Sequence, residues 1–300
     1  MKSVRRVEGP DYPHPMQRFF AGWRNNRASR YAAQGPGKGA AKRRAVLTIV
    51  NNEPFFFPIW LRYYSRFFAA RDIYVLDDGS DDGSLDGAEA DGRFVRTVVG
   101  EGEFNQARFQ AVMSHHQARL LAAGYDLVVT CDVDEILIPT PERGELGRYL
   151  DEFEEPFVNP LGYELLHLPD REPDLRPELA ILDQRGFWFA NDAYDKPAIS
   201  AEPIEWSPGF HARADGATNH DPDLRLLHLH RVDYRACMDR HRQRRRGRWG
   251  REDLARGWAS YYRLGSRRAR DRWYFEQSGF EDDGIEMVVQ QIPASWRGRF

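Results

Sequence analysis

Three short apolar runs, each closed by a cluster of polar residues, constrain this chain more than any other feature. Ala45-Val46-Leu47-Thr48-Ile49-Val50 ends in Asn51-Asn52-Glu53. Ile73-Tyr74-Val75-Leu76 ends in Asp77-Asp78-Gly79-Ser80, and Leu127-Val128-Val129-Thr130-Cys131 ends in Asp132-Val133-Asp134-Glu135. Runs this short, rich in β-branched residues and without polar alternation, read as strands buried on both faces, as in a parallel sheet. Residues 54–70 and 105–123 carry apolar residues at three-to-four spacing, which predicts helices, the second ended by Gly124 as its C′ residue. A further strand is predicted over 94–99. Strand and helix therefore alternate through residue 150, which argues for an α/β fold with a doubly wound, mostly parallel sheet flanked by helices. Ligands of such sheets bind outside the carboxyl ends of the strands, so the three polar clusters are expected to converge in space.

The second half reads differently. Residues 160–168, 185–190 and 224–232 are predicted strands without regular helices between them, which implies an antiparallel or mixed extension of the sheet, and 235–277 is helical and Arg-rich. The expected organisation is a basic, partly flexible arm over 1–43, a folded domain over 44–235 and an Arg- and aromatic-rich helical extension over 236–300. The arm ends in Gln34-Gly35-Pro36-Gly37-Lys38-Gly39, a flexible linker by composition.

Charge matters here because it is segregated. The whole chain carries 43 Lys plus Arg against 46 Asp plus Glu, a formal net charge of −3. Residues 1–44 hold 11 basic and two acidic residues, a net of +9, and residues 239–272 hold 13 Arg and four acids, again +9. Between them, residues 77–155 hold 19 acidic and six basic residues, a net of −13. Near-neutrality overall therefore does not exclude an anionic ligand; it hides where one would bind. No nucleic-acid partner is expected. The two cysteines, Cys131 and Cys237, imply no disulfide framework and no thiolate zinc site. No apolar run approaches the roughly 20 residues that span a bilayer, and the basic N-terminus lacks the apolar stretch of a signal peptide. A cytoplasmic protein is expected, with peripheral contact at the inner face of an anionic membrane as an extension of that reading.

Asp132 and Asp134 are two carboxylates one residue apart where a strand exits. Hard divalent cations bind through one or two carboxylates plus substrate phosphates, so the pair suits Mn²⁺ or Mg²⁺ on a diphosphate. The pattern alone is not specific, since Asp221-Pro222-Asp223 also matches it in what reads as an ordinary turn. Asp77 and Asp78 before Gly79 suit hydrogen bonding to a base or ribose, and equally a turn that caps the next helix. Asn51 to Glu53 carry the same ambiguity. No G-x-G-x-x-G follows either strand and no P-loop occurs, so the phosphate-binding glycines of dinucleotide and P-loop sites are missing.

Taken in this order, Thr48-Ile49-Val50-Asn51-Asn52-Glu53, Val75-Leu76-Asp77-Asp78-Gly79-Ser80 and Cys131-Asp132-Val133-Asp134-Glu135 resemble the family 2-type glycosyltransferases of GT-A fold. The D-V-D-E form is closest to the branch that includes family 92-like enzymes, and the resemblance covers roughly residues 44–235. It implies a GT-A, Rossmann-like mixed sheet, a nucleotide-sugar donor and a carbohydrate or glycolipid acceptor. Asn51, Asn52, Glu53, Asp77 and Asp78 would lie around the nucleoside, and Asp132 and Asp134 would hold the metal. Enzymes of this fold often add a late His to the metal, which points to His230, with His228 next. Lys196-Pro197 and Ser207-Pro208-Gly209-Phe210-His211 resemble elements that follow the D-x-D in that branch. Lys196, His211, His228 and Arg231 are accordingly expected to contact the acceptor or the phosphates.

A transfer that inverts configuration needs a carboxylate within reach of the acceptor hydroxyl. Asp192, Asp195 and Glu205 are the candidates on the acceptor side, and nothing in their spacing separates them. Two other readings stay open: a non-catalytic, Arg-rich protein that binds polyanions or membranes, and a nucleotidyltransferase.

Overall fold

The computed structural model describes residues 42–207, 209–258, 260–278 and 287–300. The expected basic arm, apart from its last two residues, and Pro208 lie outside the described residues.

Among the described residues, twelve strands and eight α-helices follow one another as β1 (Arg44–Val50), α1 (Phe56–Tyr64), β2 (Ile73–Asp77), α2 (Asp86–Ala90), β3 (Val95–Val98), β4 (Glu103–Phe104), α3 (Gln106–Ala122), β5 (Leu127–Thr130), β6 (Glu135–Pro139), α4 (Leu146–Glu152), β7 (Phe157–Leu165), α5 (Ile181–Gln184), β8 (Phe187–Ala190), β9 (Ile199–Ser200), β10 (His220–His228), α6 (Tyr234–Arg246), β11 (Arg248–Trp249), α7 (Arg251–Ala255), α8 (Arg267–Glu276) and β12 (Gln290–Gln291). The three apolar runs are β1, β2 and β5, as their composition requires. They lie side by side and parallel, β1 between the other two, with β3 outside β2.

Alternate residues of these strands feed two separate cores. Val46 and Val50 of β1, Ile73 and Val75 of β2, and Leu127 and Val129 of β5 pack with Phe56, Phe57, Trp60 and Tyr64 of α1. Ala45 and Leu47, Leu76 and Val128 point the other way, onto Phe109, Met113 and Leu120 of α3. Helices cover both faces, which is why the runs carry no charged residue and why Thr48 and Thr130, their only hydroxyl residues besides Tyr74, are buried with them. The helix predicted over 54–70 is shorter, because the chain turns at Ser65 after α1. Helix α3 matches its expected span, with the Asn105 side chain capping the Arg108 amide and Gly124 at φ 88°.

Beyond β5 the sheet becomes mixed. Strand β9 runs antiparallel between β5 and β7, β8 is antiparallel to β7, and β10 is parallel to β7 and antiparallel to β6. The C-terminal residues return to the same sheet, where β12 pairs with β8. The strand predicted over 224–232 sits earlier, ending at His228, so His230 lies in the turn before α6. No described helix is long and apolar enough to cross a membrane.

Strand order reverses between β1 and β5, since the chain leaves β1 toward β2 and β3 and returns to pair on its other edge. A doubly wound sheet opens its ligand crevice at such a switch point, and the three polar clusters all end there.

Candidate active site

The loop after β1 is docked on the loop after β2. The Asp78 amide donates to the Val50 carbonyl at 2.8 Å, and the Asn51 amide group donates to the Asp78 carbonyl at 2.7 Å. On the other side, the Cys131 amide donates to the Leu47 carbonyl at 3.2 Å. These bonds hold the strand ends as one rim above a cleft with room of about 270 Å³. Asn51, Glu53, Asp78, Asp132, Asp134 and Glu135 line it, so the expected convergence occurs. Asn52 and Asp77 do not line it. Asn52, at φ 54°, accepts from the Asp81 amide, and Asp77 binds Arg96 and caps the Ser80 amide.

Asp78 is fully buried, and Arg108 donates to its Oδ1 at 2.6 Å while its Oδ2 has no partner. Burial, only partly offset by Arg108, raises its pKa. The carboxylate fits only because residue 100 is glycine: a Cβ there would stand 1.8 Å from Asp78 Oδ1. A buried carboxylate oxygen without a donor is unusual in a folded chain, and this one stands on the wall of the cleft.

Deeper in, charge is arranged in pairs. Lys196 is buried with its Nζ 3.0 Å from Asp132 Oδ2 and 2.6 Å from Glu135 Oε2. Burial opposes the charge of Lys196, but the two carboxylates outweigh it and hold the amine charged. Burial likewise pushes Glu135 up to about 7 against the pull of Lys196. Asp134 is buried, and its Oδ2 meets Arg240 Nη1, His228 Nε2 at 3.3 Å and His230 Nδ1 at 4.0 Å. Burial would raise its pKa, but Arg240 and then His228 hold it well below the carboxylate range. Arg240 also donates to Glu53 from Nη2 at 2.7 Å, Arg244 donates to the same Glu53 oxygen, and the Arg240 guanidinium lies over the Phe56 ring.

His228 is clamped between two carboxylates, Glu164 at 2.7 Å from Nδ1 and Asp134 at Nε2, with Tyr194 stacked on its ring at 4.1 Å. Burial disfavours the imidazolium, yet these carboxylates push its pKa up to about 10. Two acceptors facing one another at 3.3 Å need a cation or a proton between them, and without a metal the proton serves.

The far wall comes from the C-terminal segment. Strand β11 pairs parallel with β4, which stacks Trp249 on Phe104 at 4.8 Å, and Trp258, Tyr261 and Tyr262 continue the wall. Asp253 accepts from the Gln106 amide at 2.9 Å and fastens this segment to the start of α3.

Asp134, His228 and His230 offer ligand atoms within 4.8 Å of one another. One carboxylate and two imidazoles suit Mn²⁺ and other transition ions better than Mg²⁺, which prefers oxygen. Glu164 behind His228 supplies the carboxylate that orients a ligating imidazole. The donor set therefore fits a divalent metal. Asp132 stays outside the trio, with its side chain 35% exposed and turned to Lys196.

Other expected residues lie elsewhere. The Arg231 guanidinium is buried over the Trp273 ring and donates to the carbonyls of Tyr274 and Gln277, and it does not line the cleft in which contact with the acceptor or the phosphates was expected. Asp192 and Glu205 are exposed outside the cleft, and Asp195 lies behind its wall, accepting from the Gly162 amide at 2.6 Å. None of the three lines the cleft. His211 does lie at its mouth, hydrogen-bonded to the Ala193 carbonyl.

Sequence reasoning missed Glu164, Tyr194 and His241, and saw Arg240 and Arg244 only as members of a basic run. The lone charged residue in the strand sequence of β7 was the signal for Glu164. Four-residue spacing of Arg240 and Arg244 on one helix face was the signal for the pair.

Fold and site together define a mixed α/β protein with a charged cleft at the carboxyl ends of a parallel sheet. No protein-family model matches the chain, and no curated protein does. Among solved structures, the chain is similar to glucosyl-3-phosphoglycerate synthase from Mycobacterium tuberculosis in complex with Mn²⁺, uridine diphosphate and glucosyl-3-phosphoglycerate. The identity is 23% over 41% of this chain and 44% of that one, with a TM-score of 0.27. The complex of that synthase with Mn²⁺, UDP-glucose and glycerol 3-phosphate is 20% identical over 56% of this chain and 61% of that one, with a TM-score of 0.31. The chain thus spans about half the length of these structures.

Proposed function

We propose that this chain is a GT-A-type glycosyltransferase that takes a sugar from a nucleoside diphosphate donor with the help of a divalent metal, Mn²⁺ rather than Mg²⁺. The observation that carries this reading is the convergence of the Asp134, His228 and His230 ligand atoms in the same cleft as the unpartnered Asp78 Oδ2. One group suits a metal on phosphates and the other a base or ribose, which together describe a nucleotide.

In this reading Asp78 accepts a hydrogen bond from the nucleoside, with Asn51 and Glu53 beside it. Phe104 and Trp249 give flat apolar faces against which a base or sugar ring packs. Asp134, His228 and His230 would hold the metal, which would take up the charge that grows on the leaving diphosphate. His228 would offer Nε2 to the metal in its deprotonated form, while Glu164 keeps the ring in place through Nδ1. Lys196 orients Asp132 and Glu135. A carbohydrate or glycolipid acceptor would enter past His211.

The competing polyanion-binding reading is weakened by where the Arg side chains go. Arg240 and Arg244 bind Glu53, and Arg231 binds main-chain carbonyls, so three of them serve the interior.

Calorimetric titration with uridine, guanosine, cytidine and adenosine diphosphates, with and without Mn²⁺, tests the proposal. It predicts metal-dependent binding of at least one of them, lost in Asp134→Ala with the fold retained. Equal binding in that variant and the parent chain would overturn it.

A further inference from the structure

We infer that His241 is a positioning residue that fixes the His230 ring in its Nε2–H form, so that the Nδ1 lone pair of His230 faces Asp134. The assignment follows from who can donate. Arg240 Nη1 lies 3.4 Å from His230 Nδ1, and a guanidinium has donors only, so Nδ1 is the acceptor. An imidazole always carries at least one N–H, so with Nδ1 accepting the His230 proton is on Nε2, which faces His241 Nε2 at 3.0 Å. His241 must accept there, which puts its own proton on Nδ1. That atom is buried and has no hydrogen-bond partner. A buried polar atom without a partner is unusual enough to need a reason, and here the reason is that the other nitrogen is committed to His230.

Packing makes the arrangement rigid. The two rings are nearly perpendicular, at 86° with centroids 5.2 Å apart, so the His230 N–H runs toward the edge of the His241 ring. Tyr262 stacks beside His230 at 25°, and Trp273 meets it edge-on.

The same two histidines lie near the Cys237 thiol, and the three ligand atoms are close enough to suggest a second metal site. The field there opposes a cation, since Arg240, Arg231 and Arg270 all press on His241 as positive charges. His230 is therefore shared unequally: Nδ1 serves the cleft and Nε2 is tied down behind it.

The inference about the ring does not depend on catalysis, though its use at a metal rests on the proposed function. Nitrogen-15 NMR of the imidazoles in the metal-free full chain tests it directly, with His230→Gln assigning the signals. Expected are a protonated Nε2 and a bare Nδ1 on His230, and a protonated Nδ1 on His241; a proton on His230 Nδ1 overturns the inference. Electron paramagnetic resonance titration with Mn²⁺ alone then compares two variants. His241→Gln can still accept through Oε1 and should stay within about threefold of the parent chain, while His241→Leu should weaken Mn²⁺ binding about tenfold or more. Equal affinity of the Leu and Gln variants would overturn the positioning role. Should the parent chain bind no Mn²⁺ while His230 shows the expected proton, the metal reading fails and the ring assignment stands.

Discussion

Arg240 reaches from α6 across the cleft to pair with Asp134 on the loop after β5, so a guanidinium stands at the corner where the Asp134, His228 and His230 side chains converge. The same guanidinium is anchored by Glu53 after β1. It is an internal counter-ion that keeps buried carboxylates paired when no metal is bound.

A cation that binds Asp134 from solution must therefore displace Arg240. In Arg240→Met, which removes the guanidinium over the Phe56 ring but leaves an apolar side chain beside it, Mn²⁺ alone should bind about tenfold more tightly, or ~1.4 kcal/mol. Without metal the same variant should lose roughly 3–5 kcal/mol of stability, because Glu53 and Asp134 stay buried with less compensation. Thermal melting with and without Mn²⁺ checks both halves. Unchanged melting and unchanged Mn²⁺ affinity would show that Arg240 is not the counter-ion.

Asp78 gives a prediction about the other end of the donor. Asp78→Asn can keep its Oδ1 bond to Arg108 but places an amide donor where Oδ2 was an acceptor. Binding of the preferred nucleoside diphosphate should weaken by roughly 1.5–3 kcal/mol, the range for hydrogen bonds to charged groups, while Mn²⁺ binding stays as it was. Calorimetry on the two ligands separately distinguishes this from general damage to the cleft.

Much of this site was legible in the sequence because β1, β2 and β5 are buried on both faces, and a polar cluster after such a strand has nowhere to go but the open end of the sheet. Asp78, Asp132 and Asp134 follow from that alone. Glu164 and His241 do not, since their roles depend on pairing partners 64 and 11 residues away in the chain. Arg231 misled for a related reason: its position beside the late histidines is right, but its side chain turns to the opposite side, onto Trp273. The charge segregation also gains a physical sense. Arg240 and Arg244 of the basic C-terminal stretch fold back onto Glu53 and Asp134, so charges separated in sequence neutralise one another in space.

Lys196 tests that neutralisation on the other side of the cleft. It is the cation that bonds both Asp132 and the buried Glu135. Lys196→Met should cost roughly 3–5 kcal/mol at neutral pH, since one partner of a buried pair is removed, and chemical denaturation reads it. A loss below about 1 kcal/mol would place this pair with solvent-screened surface bridges instead.

Asp195 provides the pH dependence. Burial, which outweighs the Gly162 amide bond, raises its carboxyl to about 7 in the folded chain from the ordinary 3.8. The folded state thus holds a proton that the unfolded chain has already released between roughly pH 4 and 7. Stability from this group is present below that window and falls as pH rises through it, by at most about 1.4 kcal/mol per unit. Asp195→Asn keeps an oxygen for the Gly162 amide and removes the titration. Its stability should therefore decline less between pH 4 and 7 than that of the parent chain, as denaturant midpoints at several pH values will show. Parallel curves for the two proteins across that window would mean that Asp195 is ionised in the folded state throughout.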